Sequence, residues 1–313
     1  MGIQSGDTMK LAMVFPGQGS QAVGMLKGYA GLPEIDAVRA EAQEALGADF
    51  LKLLDEGPAD QLNLTVNTQP AMVTAGIAAF RAWRAAGGPM PEMVAGHSLG
   101  EYTALVAAGA LAFRDALPLV RYRAQSMQEA VPAGQGAMAA ILMLDDDQVR
   151  TACAAAGGAV QAVNFNAPGQ VVIAGEKAAV ERAIELCKEK GAKRAMLLPV
   201  SAPFHSTLMQ PAAEKLKRYL ANVNIAPPKV TVVNNVDVAA HTEADKIKDA
   251  LVRQAASPVR WVETIRKMAD AGVTHIVECG PGKVLAGMTK RIAPGVKSFA
   301  AADRASLEEA LKC

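Results

Sequence analysis

Short apolar runs in this chain alternate with stretches of helix length, and that alternation most constrains its fold. "LAMVFPGQGSQ" (residues 11–21) reads as a strand entering a glycine-rich turn, and "TQPAMVTAGIAAFRAWRAAG" (68–87) as a long buried helix. "EMVAGHS" (92–98) is a second short strand, and "LGEYTALVAAGAL" a helix behind it. "KVTVVNNV" (229–236) and "GVTHIVECGPG" (272–282) are later strands leading toward helical stretches. Strands separated by helices build a mostly parallel sheet with helices packed over it.

The middle of the chain breaks this rhythm. "GAMAAILML" (136–144) is a strand, and "DDDQVRTACAAAG" (145–157) a helix with acidic residues in its first turn, where the helix dipole favours them. Two strands around Ala167-Pro168-Gly169 follow, then the amphipathic helix 177–191 and a last strand at 192–200. That β-α-β-β-α-β order is ferredoxin-like. The expected fold class is therefore α/β: a large hydrolase-like domain (9–131 and 200–313) carrying an inserted small ferredoxin-like subdomain (132–199). Residues 1–8, MGIQSGDT, lack the basic and apolar regions of a signal peptide and are expected to be a disordered leader or appended remnant.

Composition removes several function classes. The net charge of +1 gives no global reason to expect nucleic-acid binding. No apolar run approaches the length of a membrane span. Cys153, Cys187, Cys279 and Cys313 are far apart and form no CxxC pair, so neither a metal site nor a disulfide framework is expected. Reduced thiols in a cytoplasmic protein fit that spacing. Aromatic residues are only 4% of the chain, so the core must be built mostly of Ala, Val, Leu, Ile and Met.

"GHSLG" (96–100) fits G-x-S-x-G, which holds a serine on a sharp strand-to-helix turn. Ser98 would stand above the sheet edge at the positive end of a helix, where a developing oxyanion can be held. A serine needs a base, and there are four histidines. His97 adjoins Ser98 on a strand, points the other way and is expected to brace the turn. His241, in "AAHTEADK", is expected in solvent, and His275, in "VTHIVEC", in the core. His205, in "PVSAPFHSTLM", follows a strand end and opens a helix, where α/β sheets present site residues. Elimination leaves His205 as the base.

Two further features stay open on residues alone. "FPGQGSQ" lacks the Lys-Ser/Thr ending of a P-loop and the G-x-G-x-x-G spacing of a dinucleotide turn. It is a tight β-to-α turn first, and a phosphate cradle or oxyanion donor second. In "ALPLVRYRAQSMQ" (116–128), which reads as helical after Pro118, Arg123 falls in the apolar arc of Leu119, Val120, Ala124 and Met127, and Arg121 falls outside it. An inward guanidinium suits a bidentate grip on a carboxylate. It is equally compatible with an internally paired or snorkelling arginine.

"FPGQGSQ", "GHSLGEYTAL", "RYRAQSMQEAVP", "NFNAPGQVVIAG", "PFHS", "VRQAASPVRW" and "ECGPGKVL" occur in one order. In that order the chain resembles the malonyl-CoA:acyl carrier protein transacylases from about residue 10 to its end. The resemblance implies a two-step transfer in which Ser98 takes a malonyl group from malonyl-CoA and passes it to the phosphopantetheine thiol of acyl carrier protein, with His205 as base and no cofactor. It implies an oxyanion hole from the backbone N–H groups of Gln18 and Leu99, and Arg123 on the malonyl carboxylate. It also implies a backbone carbonyl at Gln254 orienting His205, and Asn166 lining the pocket from the small subdomain. Phe204, directly before the histidine, accompanies malonyl use in related acyltransferase domains, although many freestanding members carry Ser there; packing of the loop is its plainer role. The acidic carrier expected by resemblance would dock on a basic surface, for which Lys188, Lys190, Lys193 and Arg194, or Lys283, Lys290 and Arg291, are available. Fatty acid synthesis is the expected destination, and a cytoplasmic monomer the expected form. The alternatives are a polyketide acyltransferase, a serine esterase or thioesterase of α/β-hydrolase type, and a non-catalytic carrier-docking subunit. The hydrolases usually show an HGGG-type loop and a late acid before a late histidine, and this chain shows neither.

Overall fold

The computed structural model describes residues 9–200 and 202–312. The leader expected at 1–8 and the thiol of Cys313 lie outside the described residues. In chain order the elements are β1 (Leu11–Phe15), α1 (Pro33–Leu46), α2 (Ala48–Glu56), α3 (Ala59–Leu62), α4 (Thr65–Ala85), β2 (Met93–Gly96), α5 (Gly100–Ala107), α6 (Phe113–Glu129), β3 (Gly136–Leu142), α7 (Asp146–Ala156) and β4 (Val160–Ala167). They continue as β5 (Gln170–Glu176), α8 (Lys177–Glu189), β6 (Arg194–Leu197), α9 (Gln210–Leu220), β7 (Thr231–Val233), α10 (Ala244–Ala255), α11 (Trp261–Asp270), β8 (His275–Cys279), α12 (Val284–Ile292), β9 (Lys297–Ala301) and α13 (Arg304–Ala310).

Five strands form one sheet in the order β7-β2-β1-β8-β9. All four pairings are parallel, with Val14 of β1 in register with Ala95 and Glu278. Every residue of β1 is buried, as expected of a central parallel strand covered on both faces. From β1 the chain moves to β2 on one side, and later returns to place β8 and β9 on the other. The crevice beyond the carboxyl ends of β1, β2 and β8 is therefore a topological switch point, where open α/β sheets place their ligands.

The other four strands form an antiparallel sheet in the order β4-β5-β3-β6, the ferredoxin-like order. Its helices α7 and α8 pack Val149, Cys153, Val180 and Cys187 onto one face. The small sheet is bound to the large unit by backbone: Phe165 N–H donates to the Val259 carbonyl (3.0 Å) and Val259 N–H to the Val163 carbonyl (2.8 Å).

Three local expectations are corrected. Helix α6 begins at Phe113 and contains Pro118 rather than starting after it. Phe113, Ala116 and Leu117 bury their side chains in the main core, and that packing outweighs the hydrogen bond to the Arg114 carbonyl that a proline cannot make. The strand expected over 229–236 shortens to β7, because Asn234 and Asn235 leave the ladder to bond elsewhere: Asn234 N–H donates to the Ala239 carbonyl, and Asn235 N–H to Glu101 Oε2. His241 is not in open solvent: its Nε2 lies 3.2 Å from Asp237, which Arg253 also holds. His275 is buried in β8 as expected.

Glu278 is fully buried in β8, and its Oε2 accepts the N–H of Ala286 (2.8 Å) in the first turn of α12. It acts as an N-terminal cap from a neighbouring strand, since Lys283 provides no side-chain cap. Burial pushes its carboxyl up from 4.5 to about 7, against the lowering effect of the helix N–H bonds. The folded state thus holds this proton more tightly than the unfolded chain. The associated stability is complete below about pH 4.5 and is lost as pH rises through about 7. In Glu278→Gln the amide oxygen can keep the cap without titrating. Its melting temperature relative to wild type should rise between pH 4.5 and 7. A pH-independent difference would refute this.

Candidate active site

The turn after β2 is built by its two glycines. A Cβ at Gly96 would overlap the backbone of Gly100, and one at Gly100 would overlap the carbonyl of Phe15. Only glycine lets β2 turn into α5 while α5 presses against β1. The turn holds Ser98 at φ 51°, the left-handed region that costs a non-glycine residue on the order of 1 kcal/mol or more and is frequent at functional sites. The Ser98 N–H donates to Asn235 Oδ1 (2.8 Å), and Asn235 Nδ2 donates to the Gly96 carbonyl (2.7 Å). The strained turn is clamped from the end of β7.

Ser98 Oγ lies 2.6 Å from His205 Nε2, across 107 residues of sequence. His205 is also held at positive φ, 63°. Its Nδ1 is 2.8 Å from the Gln254 carbonyl. A carbonyl only accepts, so Nδ1 carries the hydrogen and Nε2 is left to accept from the serine. Burial, reinforced by the charge of Arg123, pushes His205 down from 6.5 to about 3, against the raising effect of the Gln254 bond. The imidazole is therefore neutral at neutral pH, with Nε2 unprotonated toward the serine hydroxyl.

Arg123 is 1% exposed, as its place in the apolar arc predicts. Its Nη1 donates to Gln69 Oε1 (2.9 Å), and its Nη2 to Gln254 Oε1 (2.9 Å) and to Ser98 Oγ (3.3 Å). The guanidinium lies 5.4 Å from the ring centre of Tyr102. Among the described residues it forms no ion pair, and its Nε has no partner. A buried cation held by neutral amides beside the hydroxyl is a site for an incoming anion.

Gln18 and Leu99 flank the same space, from the turn after β1 and from the start of α5. No hydrogen bond among the described residues uses either backbone N–H, so both remain available as donors. Gly17 permits this approach, because a Cβ there would crowd the His97 carbonyl at 2.8 Å. Asn166 also reaches the site. The β4–β5 ladder shifts register between Ala162 and Asn164, and again between Phe165 and Ala167. Such bulges re-aim side chains, and here both Asn164 and Asn166 line the cavity. Asn166 Oδ1 lies 2.7 Å from His97 Nε2, so His97 braces the turn against the small sheet. Burial holds the His97 pKa below its ordinary value. Phe204 lines the cavity and packs against two small apolar clusters, one containing Met138 and the other Met127.

These groups surround one cavity of about 230 Å3 between the two sheets, with Ser98, His205 and Arg123 in its wall and Met127, Met138, Val200 and Leu285 beside them. All eight residues singled out in the sequence are brought together, although for Gln254 this is through its neighbours rather than the cavity wall. Sequence reasoning missed Gln69, Glu101, Asn235 and the side chain of Gln254. The only signal for Asn235 was a pair of asparagines at a strand end, and for Glu101 an acid in a helix otherwise apolar enough to be buried. No group of three or more potential metal-ligating side chains occurs among the described residues. A serine ester formed here would be held beside a guanidinium and two backbone donors, in a site able to carry out acyl transfer.

Comparison with known proteins agrees with that chemistry. Residues 12–307 match the acyl transferase domain family. The malonyl CoA-acyl carrier protein transacylase of Escherichia coli K12 is 54% identical over 306 residues, covering 97% of this chain and 99% of that protein. The crystal structure of an acyl-carrier-protein S-malonyltransferase from Burkholderia pseudomallei 1710b superposes with a TM-score of 0.96 at 64% identity, covering 97% of this chain and all of that one. A malonyl-transacylase solved in complex with a type II polyketide acyl-carrier protein superposes at 0.95 with 50% identity, covering 97% of this chain and 99% of that one. With a serine–histidine pair, a buried guanidinium and near-complete overlap in sequence and fold, the chain belongs to the acyl transferase domain family, and within it to the malonyl CoA-acyl carrier protein transacylases.

Proposed function

We propose that this protein moves a malonyl group from malonyl-CoA to the phosphopantetheine thiol of acyl carrier protein through a malonyl ester on Ser98. The observation that carries this reading is the contact of Ser98 Oγ with both His205 Nε2 and Arg123 Nη2, which puts nucleophile, base and carboxylate receptor at one point. In the first half-reaction Ser98 Oγ bonds to the thioester carbon as His205 Nε2 takes its proton. The oxyanion is held by the N–H groups of Gln18 and Leu99. The C–S bond then breaks, and the departing sulfur receives the proton. In the second half-reaction the carrier thiol gives its proton to His205 and its sulfur bonds to the ester carbon, the bond from that carbon to Ser98 Oγ breaks, and the serine oxygen takes the proton back. A thioester is already activated, so a nucleophile, a base and oxyanion donors suffice without a cofactor.

Arg123 receives the malonyl carboxylate, and the Gln254 carbonyl keeps His205 in the productive tautomer. Asn166 and Phe204 shape the acyl pocket. Its apolar wall, shared between the large unit (9–131 and 200–313) and the small one (132–199), slows hydrolysis of the ester. Nucleophile, base and pocket all come from one chain, so a monomer suffices. No helix among the described residues is long and apolar enough to cross a membrane. We assign a cytoplasmic site of action, which the buried and unpaired thiols Cys153, Cys187 and Cys279 support. We assign the product to fatty acid synthesis. The polyketide alternative is not favoured, and the family match weighs against both a hydrolase and a non-catalytic docking role. Of the basic groups available for docking, Arg291 is engaged with Gln170 and the Pro168 carbonyl, and Lys188 with Glu185.

The test is intact-mass measurement after mixing with malonyl-CoA, then with phosphopantetheinylated carrier protein. A malonyl adduct should appear on the enzyme and then move to the carrier. Loss of the adduct to water alone would restore the esterase reading.

A further inference from the structure

Glu101 is 2% exposed in the first turn of α5 and has no part in the reaction steps above. Its Oε2 accepts two hydrogen bonds, from the backbone N–H of Asn235 (2.9 Å) and from Gln254 Nε2 (3.0 Å). Gln254, fully buried near the end of α10, donates its other amide hydrogen to the Ser98 carbonyl (2.9 Å). Both acceptors are oxygens that do not donate here: a backbone carbonyl, and a carboxylate oxygen that already receives the Asn235 N–H. The amide therefore has one satisfactory orientation, with Oε1 turned toward Arg123 Nη2 at 2.9 Å. A flipped amide would set its NH2 against the guanidinium and its oxygen against two other oxygens.

We propose that Glu101 and the Gln254 amide form a relay of positioning residues that aims the Arg123 guanidinium at the acyl carboxylate and so enforces the choice of a malonyl over an uncharged acyl group. The proposal rests on the reading of Arg123 as the carboxylate receptor. Arg123 forms no ion pair among the described residues, so its direction is set only by Gln69, Gln254, the Tyr102 face and the hydroxyl of Ser98. Of these, Gln254 alone is fixed by a further buried acid. Removing that acid frees the amide to turn, and the guanidinium loses an acceptor beside the hydroxyl. The same carboxylate holds Asn235, which clamps the Ser98 turn. General damage to the turn would slow every acyl donor alike, whereas misdirection of Arg123 penalises only donors with a carboxylate.

The experiment measures single-turnover acylation by malonyl-CoA and by acetyl-CoA, read by intact mass, with thermal melting in parallel. Glu101→Ala should lower the malonyl-to-acetyl rate ratio about tenfold, the effect of one hydrogen bond to a charged group. Glu101→Gln, whose amide oxygen can take the place of Oε2, should restore the ratio to within about twofold of wild type. Gln254→Met keeps the backbone carbonyl on His205 and removes only the amide. It should lower the ratio as Glu101→Ala does, and it carries the test if Glu101→Ala does not fold. Equal loss for both donors, or an unchanged ratio in Gln254→Met, overturns the relay. Arg123→Ala separates the two readings. If it leaves the ratio unchanged, the carboxylate assignment fails and takes the relay with it. If it lowers the ratio while the Glu101 and Gln254 variants do not, only the relay fails.

Discussion

Ser98→Ala is expected to abolish the malonyl adduct in intact-mass measurement and to lower transfer by roughly 10^4-fold or more, the scale on which loss of a covalent nucleophile is felt. The hydroxyl lies within hydrogen-bond reach of both His205 (2.6 Å) and Arg123 (3.3 Å). Among the described residues no other alcohol shares that placement. The fold should survive, because serine and alanine both carry a Cβ and bear the same backbone strain at φ 51°. Removing Oγ also leaves Asn235 on the Ser98 N–H undisturbed. Melting should therefore stay near wild type while the adduct disappears. An adduct that persists would mean that a different residue is acylated.

His205→Ala is expected to slow acylation about 10^3-fold in single-turnover measurements, within the usual range for losing a positioned general base. The serine would keep its oxyanion donors and Arg123 but would have no acceptor for its proton. The variant also has a stability signature. In the folded protein His205 is held neutral down to about pH 3, whereas in the unfolded chain it takes a proton near its ordinary 6.5. Its contribution is complete above about pH 6.5 and is lost as pH falls toward about 3. Relative to the alanine variant, wild type should lose melting temperature across that window, in the opposite direction to the Glu278 effect. Unchanged acylation would remove His205 as the base, and parallel melting curves would show that its environment does not depress its pKa.

The glycine pair around Ser98 and the inward turn of Arg123 were both legible in the sequence, since each depends on local geometry. G-x-S-x-G describes a single turn, and a 3.6-residue period places Arg123 within a few residues of its own buried neighbours. The β4–β5 hairpin was legible for the same reason, since the short turn between Ala167 and Gln170 pairs near neighbours in the chain, whereas β3 pairs with the distant β5 and β6 and was placed only by the β-α-β-β-α-β order. Helix α6 was misread at its start because a local rule about proline gave way to the packing of Phe113 and Leu117. The strand at 229–236 was overextended because the backbone N–H groups of Asn234 and Asn235 go to the Ala239 carbonyl and the Glu101 side chain instead of to β2.

By itself, then, the sequence determined the α/β class, the elbow at Ser98 and an ordered set of motifs. It also singled out His205 among the histidines by elimination and turned Arg123 inward by periodicity. Only the tertiary structure decided who bonds to whom. The contacts of Ser98 with His205, of Ser98 with Asn235 and of Arg123 with Gln254 span 107, 137 and 131 residues. Hydrogen bonds at such separations depend on which strand lies beside which and where each strand ends. The two-residue and 3.6-residue periods of strands and helices carry no record of that order, so Glu101, Asn235 and the Gln254 amide became visible only once the sheet was assembled.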